Sequence, residues 1–552
     1  MTKFSRRQFN TALAAGSAIL AAPSIAFGAR ARVVVVGGGA GGATAARYIA
    51  KDSKGAIDVT LVEASKRYYT CFFSNLYIGG FRKYGSIGHN YYGLAVNNGI
   101  NVVHEWASSV DNAAKKVKLA SGNTLSYDKL VLSPGISLKY DSVPGYSPQA
   151  QTRMPHAWTS GTQAQVLRNQ VLNMRKGGTF VLVAPPNPYR CPPGPYERVS
   201  MMAHVLKERN PTAKIVVLDP KPKFSKMGLF TEGWENHYPG MVEWIGPEMH
   251  GGIKSVNHET MEIVTDLDTF KADAACVIPA MRAGVIADTA GVTDGDWAPI
   301  VPATMASKAD PNIHVLGDAS VASAMPKSGF SANSQAKVAA NAIRGDLTGS
   351  KIYPARFSNT CWSLVATNDG VKVGASYKAG AEKIEVTGHI HDGSDICVGM
   401  IFLPRNDYAS QESCKTIVES ELTKNNFSIY GWRQVPVNPK VLGEKAFQTM
   451  PEIIQVLFKS NDKNLIDKDL ERKIYETRKK IENKAFNLSL NNFYICSISS
   501  KSIIYKGMFL AEAISDFFLD LKDERFVSRY AIFHQRFSTN TAPSWSLAQP
   551  FR

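Results

Sequence analysis

Arg32 to Val36 is a short β-branched run that passes straight into Gly37-Gly38-Gly39-Ala40-Gly41-Gly42, and an alanine-rich helical pattern, Ala43 to Ala50, follows at once. Few folds accept such a sequence. The glycines are spaced G-x-G-x-x-G. Gly37 allows a tight turn, Gly39 lets a pyrophosphate approach the backbone, and Gly42 lets the helix pack against the strand while its N-terminus faces the phosphates. A second strand, Asp58 to Val62, ends at Glu63, where a carboxylate can accept hydrogen bonds from an adenosine ribose. Strand, loop, helix and acidic residue in register predict a Rossmann-like dinucleotide-binding domain.

Flavin and nicotinamide dinucleotides share this motif, so segments downstream must separate them. Ile313 to Ala319 reads as a strand ending in Gly317-Asp318, followed by a helical run through Ser334 to Ile343. Asp318 can bind a ribityl hydroxyl. A second Rossmann-like unit starts at Thr179 to Val183, but where a nicotinamide site needs glycines the chain has Ala184-Pro185-Pro186-Asn187-Pro188-Tyr189-Arg190-Cys191-Pro192-Pro193-Gly194. Prolines fix φ and lack N–H groups, so this loop cannot cradle phosphate, and FAD is the expected cofactor.

At 552 residues, 44% of them hydrophobic and 20% charged, the chain is an ordinary globular polypeptide of several domains. Its +16 net charge makes anionic partners plausible. The basic residues are dispersed and no nucleic-acid motif accompanies them, so no nucleic-acid partner is expected. Seven scattered cysteines without a C-x-x-C pair argue against a disulfide framework and a structural zinc site, and no metal is expected. Ser5-Arg6-Arg7-Gln8-Phe9 precedes an apolar stretch from Thr11 to Phe27 that ends in small residues. This pattern predicts a twin-arginine export signal over residues 1–28 and a periplasmic mature protein with no integral membrane segment after cleavage.

Tyr68-Tyr69-Thr70-Cys71, Arg190-Cys191-Pro192-Pro193-Gly194-Pro195-Tyr196-Glu197-Arg198, Pro326 to Ser334 and Asn359-Thr360-Cys361 resemble the flavoprotein subunit of flavocytochrome c sulfide dehydrogenase. The resemblance covers about residues 1 to 385. It implies FAD, sulfide as substrate, and a partner subunit carrying c-type haem. It further implies a redox disulfide between Cys191 and Cys361 beside the flavin, and covalent attachment of the flavin at Cys71 in some members. Hydrosulfide can attack a disulfide sulfur, and nearby cations such as Arg190 or Arg198 would favour the thiolate. Glu197 is a candidate proton acceptor. Cys276 reads as core packing.

Near residue 390 the chain changes character. Only five of the 43 glycines lie in the last 162 residues. Val398 to Pro404, Gly431-Trp432-Arg433, Ser497 to Ser500, Tyr505 to Met508 and His534 to Thr541 resemble the glutamine amidotransferase domain of the glutamate synthase large subunit. In that family the nucleophile is an N-terminal cysteine whose own α-amino group acts as base, and no residue here can take that position. Arg536 matches a binder of the substrate carboxylate. The family's oxyanion-stabilising segment is expected to follow Arg552, so this part is read as an inactive slice. The charged run Asp462 to Lys484 suits a solvated helix.

The resulting fold class is α/β. Two Rossmann-like dinucleotide-binding domains of the disulfide-oxidoreductase flavoprotein type precede a truncated α+β interface domain and an incomplete α+β amidotransferase-like segment. The expected boundaries are 29–150 for the first part of the FAD domain, 151–285 for the second Rossmann-like domain, 286–350 for the FAD-domain return, 351–390 for the truncated C-terminal flavoprotein domain, and 391–552 for the tail. The rivals are a quinone-linked sulfide oxidoreductase, an amidotransferase, and a fusion without function.

Overall fold

The computed structural model describes residues 30–159, 161–387, 396–462, 464–524, 526–535 and 542–549. The expected export signal and Arg536 lie outside them. Val33 to Val36 are all buried in β1 (Ala31–Val36), so the strand shows no alternation because both of its faces are covered. It is followed by α1 (Ala40–Asp52), β2 (Ile57–Val62), β3 (Asn101–Val103) and β4 (Lys129–Leu132). β1 lies between β2 and β4, parallel to both, with Val33 opposite Val59 on one side and Lys129 on the other.

The chain then builds a second parallel sheet from β5 (Thr179–Val183), α2 (Gly194–Arg209), β6 (Lys214–Leu218), α3 (Met227–His237), β7 (Val242–Ile245) and β8 (Ala274–Val277), in the order β7-β6-β5-β8. β9 (Ile313–Val315) returns to the first sheet beside β4 and completes the order β9-β4-β1-β2-β3. Parallel neighbours cannot be joined by tight turns, so each crossover spends a helix or a longer excursion. The longest excursion is the second domain itself.

α4 (Gly329–Thr348) starts at a side-chain cap, where the Ser328 hydroxyl accepts the Ser331 N–H at 3.0 Å. An antiparallel sheet follows, made of β10 (Arg356–Ala366), β11 (Asp369–Ala379) and β12 (Ile384–Val386). β10 packs so tightly on α3 that a Cβ on Gly233 would lie 2.4 Å from Val365.

The tail forms its own antiparallel sheet. Its elements are β13 (Cys397–Leu403), α5 (Tyr408–Lys424), β14 (Phe427–Gln434), β15 (Glu452–Ser460), α6 (Asp467–Asn487) and β16 (Tyr494–Ser499), with strand order β14-β15-β13-β16. On one face Ile401, Leu403 and Phe458 pack against Leu422, Ile474 and Ile481 of the two helices. On the other, Met400, Phe402 and Cys496 pack against Phe517, Phe518 and Trp545. Among the described residues both faces of this sheet are therefore covered. Exposed apolar side chains of the tail include Phe486 on α6, Leu510, and Val527, Tyr530, Ile532 and Phe533 in the segment after the sheet. The charged run does become a helix, with Arg478 donating to Glu482 one turn later at 2.7 Å. Glu471 instead turns inward and accepts the Ser500 N–H at 2.7 Å.

Candidate active site

The first part of the site grows from the loop between β1 and α1. Gly37 has φ +97°, and a Cβ on Gly42 would fall 1.8 Å from the Gly37 carbonyl oxygen, so both positions require glycine for the protein's own packing. Gly39 is different. A Cβ there would meet only the Tyr68 ring, at 3.7 Å, which leaves the backbone open to a ligand. Glu63, at the end of β2, accepts the Gly38 N–H at 2.7 Å and the Ser65 N–H at 2.9 Å, fixing its carboxylate beside the loop. A cavity of about 310 Å³ opens here, lined among others by Gly38, Thr44, Arg47, Tyr68, Tyr91 and Asn333. Positive charge from the α1 N-terminus and Arg47 suits a pyrophosphate.

Asp318 follows β9 and is half-buried, and its Oδ1 is buried with no hydrogen-bond partner in the protein. Such an oxygen costs free energy unless a ligand hydroxyl satisfies it. Burial raises its pKa, while Arg190 and Lys327 oppose the rise. Arg190 Nε lies 3.9 Å from Asp318 Oδ2, and its guanidinium also donates to the Trp158 carbonyl. The charges of Cys71, Asp318, Tyr68 and Cys191 all act on Arg190, which makes it the central cation of this part. Open space at Gly39, the Glu63 carboxylate and the orphaned Asp318 oxygen fit an extended flavin dinucleotide running from Glu63 to the cysteines. Cys71, which opens the short helix Cys71–Phe73, lies within reach of the same cluster.

Cys191 stands on the turn that feeds α2, with a left-handed φ of 60°. Its N–H donates to the Lys327 carbonyl at 2.7 Å, tying this turn to the segment leading into α4. Burial pushes its thiol well above the usual range, and the charges of Glu197, Cys361 and Cys71 add to this against Arg190. Cys361 lies on β10, opposite Val373. Its Sγ is 3.5 Å from Asn359 Nδ2, and the Asn359 side chain also accepts the Ser328 hydroxyl at 2.6 Å, so the α4 cap and the Cys361 strand are joined. Both cysteines are thiols in this structure. Glu197, on α2, is buried and bridges elements: Oε2 accepts Asn75 Nδ2 at 2.9 Å, and Oε1 accepts the Leu364 N–H of β10 at 2.9 Å. Its pKa is raised by burial, against those hydrogen bonds and the charges of Lys226 and Arg198.

Arg190 thus takes the place expected of it, but Arg198 does not. The fully buried Arg198 donates to Asn75 Oδ1, to the His156 and Ala157 carbonyls and to Cys276 Sγ, away from Cys191. Cys276 is buried, as its apolar surroundings predicted. Two residues that the sequence did not single out complete the site. Asn75 anchors Glu197, and Lys226 lies against Cys361 through its carbonyl at 3.0 Å. Both come from segments with no local motif, so only the tertiary fold reveals them. Of the sequence-based candidates, Gly37, Gly39, Gly42 and Glu63 gather at one end, and Asp318, Cys71, Cys191, Cys361 and Glu197 at the other.

Residues 31–173 match the pyridine nucleotide-disulphide oxidoreductase family. Residues 164–279 match the central region, and 353–394 the flavin-binding region, of the flavocytochrome c sulfide dehydrogenase flavoprotein chain. Residues 375–552 match the class-II glutamine amidotransferases. The glutamate synthase [NADPH] large chain of Azospirillum brasilense is 48% identical over 183 residues, which are 33% of this chain and 12% of that one. The ferredoxin-dependent glutamate synthase 1 of Arabidopsis thaliana is 46% identical over 156 residues, 28% of this chain and 10% of that one. The chain thus spans only 12% and 10% of the length of these relatives. The sulfide:quinone oxidoreductase from Aquifex aeolicus shares the fold, with a TM-score of 0.52 at 17% identity over 65% of this chain and 86% of that one. The chain therefore joins a flavoprotein region of the pyridine nucleotide-disulphide oxidoreductase fold, carrying the central and flavin-binding segments of flavocytochrome c sulfide dehydrogenase, to a class-II glutamine amidotransferase segment related to glutamate synthase.

Proposed function

We propose that the flavoprotein region is an FAD-dependent sulfide dehydrogenase, exported to the periplasm, that oxidises sulfide through Cys191 and Cys361 and passes electrons to c-type haem on a partner subunit. The observation that carries this reading is the meeting of the two cysteines with Glu197 and Arg190 beside the orphaned Asp318 oxygen. In the oxidised form the two sulfurs share a disulfide. Hydrosulfide attacks one of them, the S–S bond breaks, a persulfide bond forms, and the other cysteine leaves as a thiolate with the electron pair. Glu197, its pKa raised, is placed to take the proton of incoming hydrogen sulfide. FAD, when bound, supplies the two-electron acceptor. Gly37, Gly39, Gly42, Glu63 and Asp318 would hold it, and Cys71 would tether it covalently. NADH is not the donor in this reading, because the loop from Pro185 to Pro193 lacks the N–H groups of a phosphate cradle. The amidotransferase segment is assigned no glutaminase activity. Among the described residues no helix is long and apolar enough to cross a membrane.

Anaerobic titration of the oxidised, flavin-loaded protein with sulfide tests the reading. The flavin absorbance should bleach and recover on adding a c-type cytochrome. Cys191→Ser and Cys361→Ser should keep flavin yet lose the bleaching, and full bleaching in Cys191→Ser would defeat the mechanism. Acid precipitation should leave the yellow colour in the pellet if Cys71 tethers the flavin.

A further inference from the structure

We infer that Lys226 is a positioning residue for the cysteine pair: its ammonium group fastens the strand that carries Cys361 and supplies the fixed positive charge against which the reduced pair ionises. This inference rests on reading Cys191 and Cys361 as the redox centre. Lys226 immediately precedes α3 and belongs to the second domain, whereas Cys361 belongs to the antiparallel sheet that follows α4. Its Nζ donates to the Cys361 carbonyl at 3.0 Å, the Ser363 hydroxyl at 3.2 Å and the Val371 carbonyl at 3.2 Å. An ammonium has three donors, and all three are spent on β10 and β11.

The backbone of Lys226 adds a second, independent observation. Its φ is +64°, in the left-handed region, which is disfavoured for a non-glycine residue. Such a conformation persists where the surroundings hold it, and here the three Nζ contacts and the Phe230 N–H donating to the Lys226 carbonyl at 3.0 Å do so. The result is a charged head fixed against the strand that carries Cys361, on which α3 also packs through Gly233.

The other cations of the site are committed elsewhere. Arg190 serves Asp318 and the Trp158 carbonyl, and its charge acts on Cys191. Arg198 is engaged with Asn75, two carbonyls and Cys276. Lys226 is the cation whose charge is coupled to Cys361, Glu197 and Cys191 together. The groups facing Cys361 are then Lys226, Cys191 in the loop before α2, Glu197 on α2, Tyr377 on β11 and the neutral Asn359 amide. Glu197 and both cysteines can each carry negative charge. One ammonium inside that group limits the cost of a thiolate when the disulfide opens. Burial lowers the pKa of Lys226, and the same three acidic groups raise it in return.

The test uses the full-length, flavin-loaded protein, reduced with thiol and alkylated anaerobically with iodoacetamide from pH 6 to 10. The extent of labelling at Cys361 is read by peptide mass spectrometry, with flavin retention and Tm as controls. In Lys226→Met the pH of half-maximal labelling should rise by about one unit. Lys226→Arg should stay within about half a unit of wild type. Should Lys226→Met fail to fold, Lys226→Gln, which keeps a donor for the strand carbonyls but no charge, should show the same rise. An unchanged labelling profile in the neutral variants, or an equal rise in Lys226→Arg, would overturn the inference. Sulfide bleaching of the wild-type flavin is measured on the same samples. Its absence would sink the sulfide reading and leave the labelling profile to decide the role of Lys226.

Discussion

Gly39, at the N-cap of α1, and Gly42, in its first turn, stand three residues apart and are glycine for different reasons. At Gly42 the obstacle is the protein itself, since a methyl would meet the Gly37 carbonyl oxygen at 1.8 Å. At Gly39 the space is open, so a methyl offends only a ligand. Gly39→Ala should therefore fold with nearly the wild-type Tm but retain much less flavin. Gly42→Ala should lose flavin and also about 1–3 kcal/mol of stability as the helix is forced off the strand. The ratio of flavin to protein absorbance and a thermal melt read both, and Gly39→Ala with full flavin would sink the assignment of the cradle. The glycines were legible because their role is local. Arg198 was not, because neighbours on a helix point about 100° apart. Glu197 faces β10 while Arg198 faces Cys276. Lys226 was still harder to foresee, because its partners lie on β10 and β11, 135 or more residues away along the chain.

At the scale of elements, the buried valine strands announced the two parallel sheets, while the polar joints between them did not show in the sequence. His156, in the segment that enters the second domain, accepts the Trp158 N–H through Nδ1 at 3.0 Å and meets Gln151 Oε1 through Nε2 at 3.0 Å. His314, inside β9, contacts the Thr304 carbonyl through Nδ1 at 3.0 Å. Burial lowers the pKa of both imidazoles to about 4, with the charges of Arg198 and Arg190 adding to this at His156. The unfolded histidine titrates near 6.5. The folded pKa lies below the unfolded one, so their contribution to stability is full above pH 6.5 and is lost as pH falls toward 4. Each can account for roughly 3 kcal/mol over that window. Melting should therefore steepen below pH 6.5, and His314→Gln, which cannot take up a proton, should lose less stability between pH 7 and 4.5 than wild type. Parallel pH profiles of Tm for the two proteins would remove His314 from this account.

At the scale of the whole molecule, the tail is docked onto the flavoprotein region as well as tethered to it. Arg356, at the start of β10, donates to Glu412 at 2.8 Å and to Glu419 at 2.7 Å, both on α5. The Trp432 indole N–H closes on the same Glu419 at 2.7 Å, and Tyr48 of α1 meets Tyr408 edge to face. Burial would push the Glu412 carboxyl up, yet Lys415 and Arg356 hold it below the usual range. A buried pair of this kind is costly to break, about 3–5 kcal/mol when one partner is removed. The change of composition near residue 390 predicts a boundary, but sequence carried no sign that Arg356 would reach the segment beyond it. Under the reading proposed above, folding and docking do not make the tail a glutaminase. That reaction needs an accessible thiolate with a base beside it. Among the described residues the tail offers Cys397, Cys414 and Cys496, which are 0%, 0% and 1% exposed. Burial pushes the thiols of Cys414 and Cys496 up to about 12. At pH 8 each would be thiolate in roughly one molecule in ten thousand. The full-length protein should accordingly release no ammonia from glutamine above background, and Cys496→Ser and Arg536→Ala should be indistinguishable from wild type. Steady ammonia release that either substitution abolishes would mean that the tail holds a working nucleophile after all.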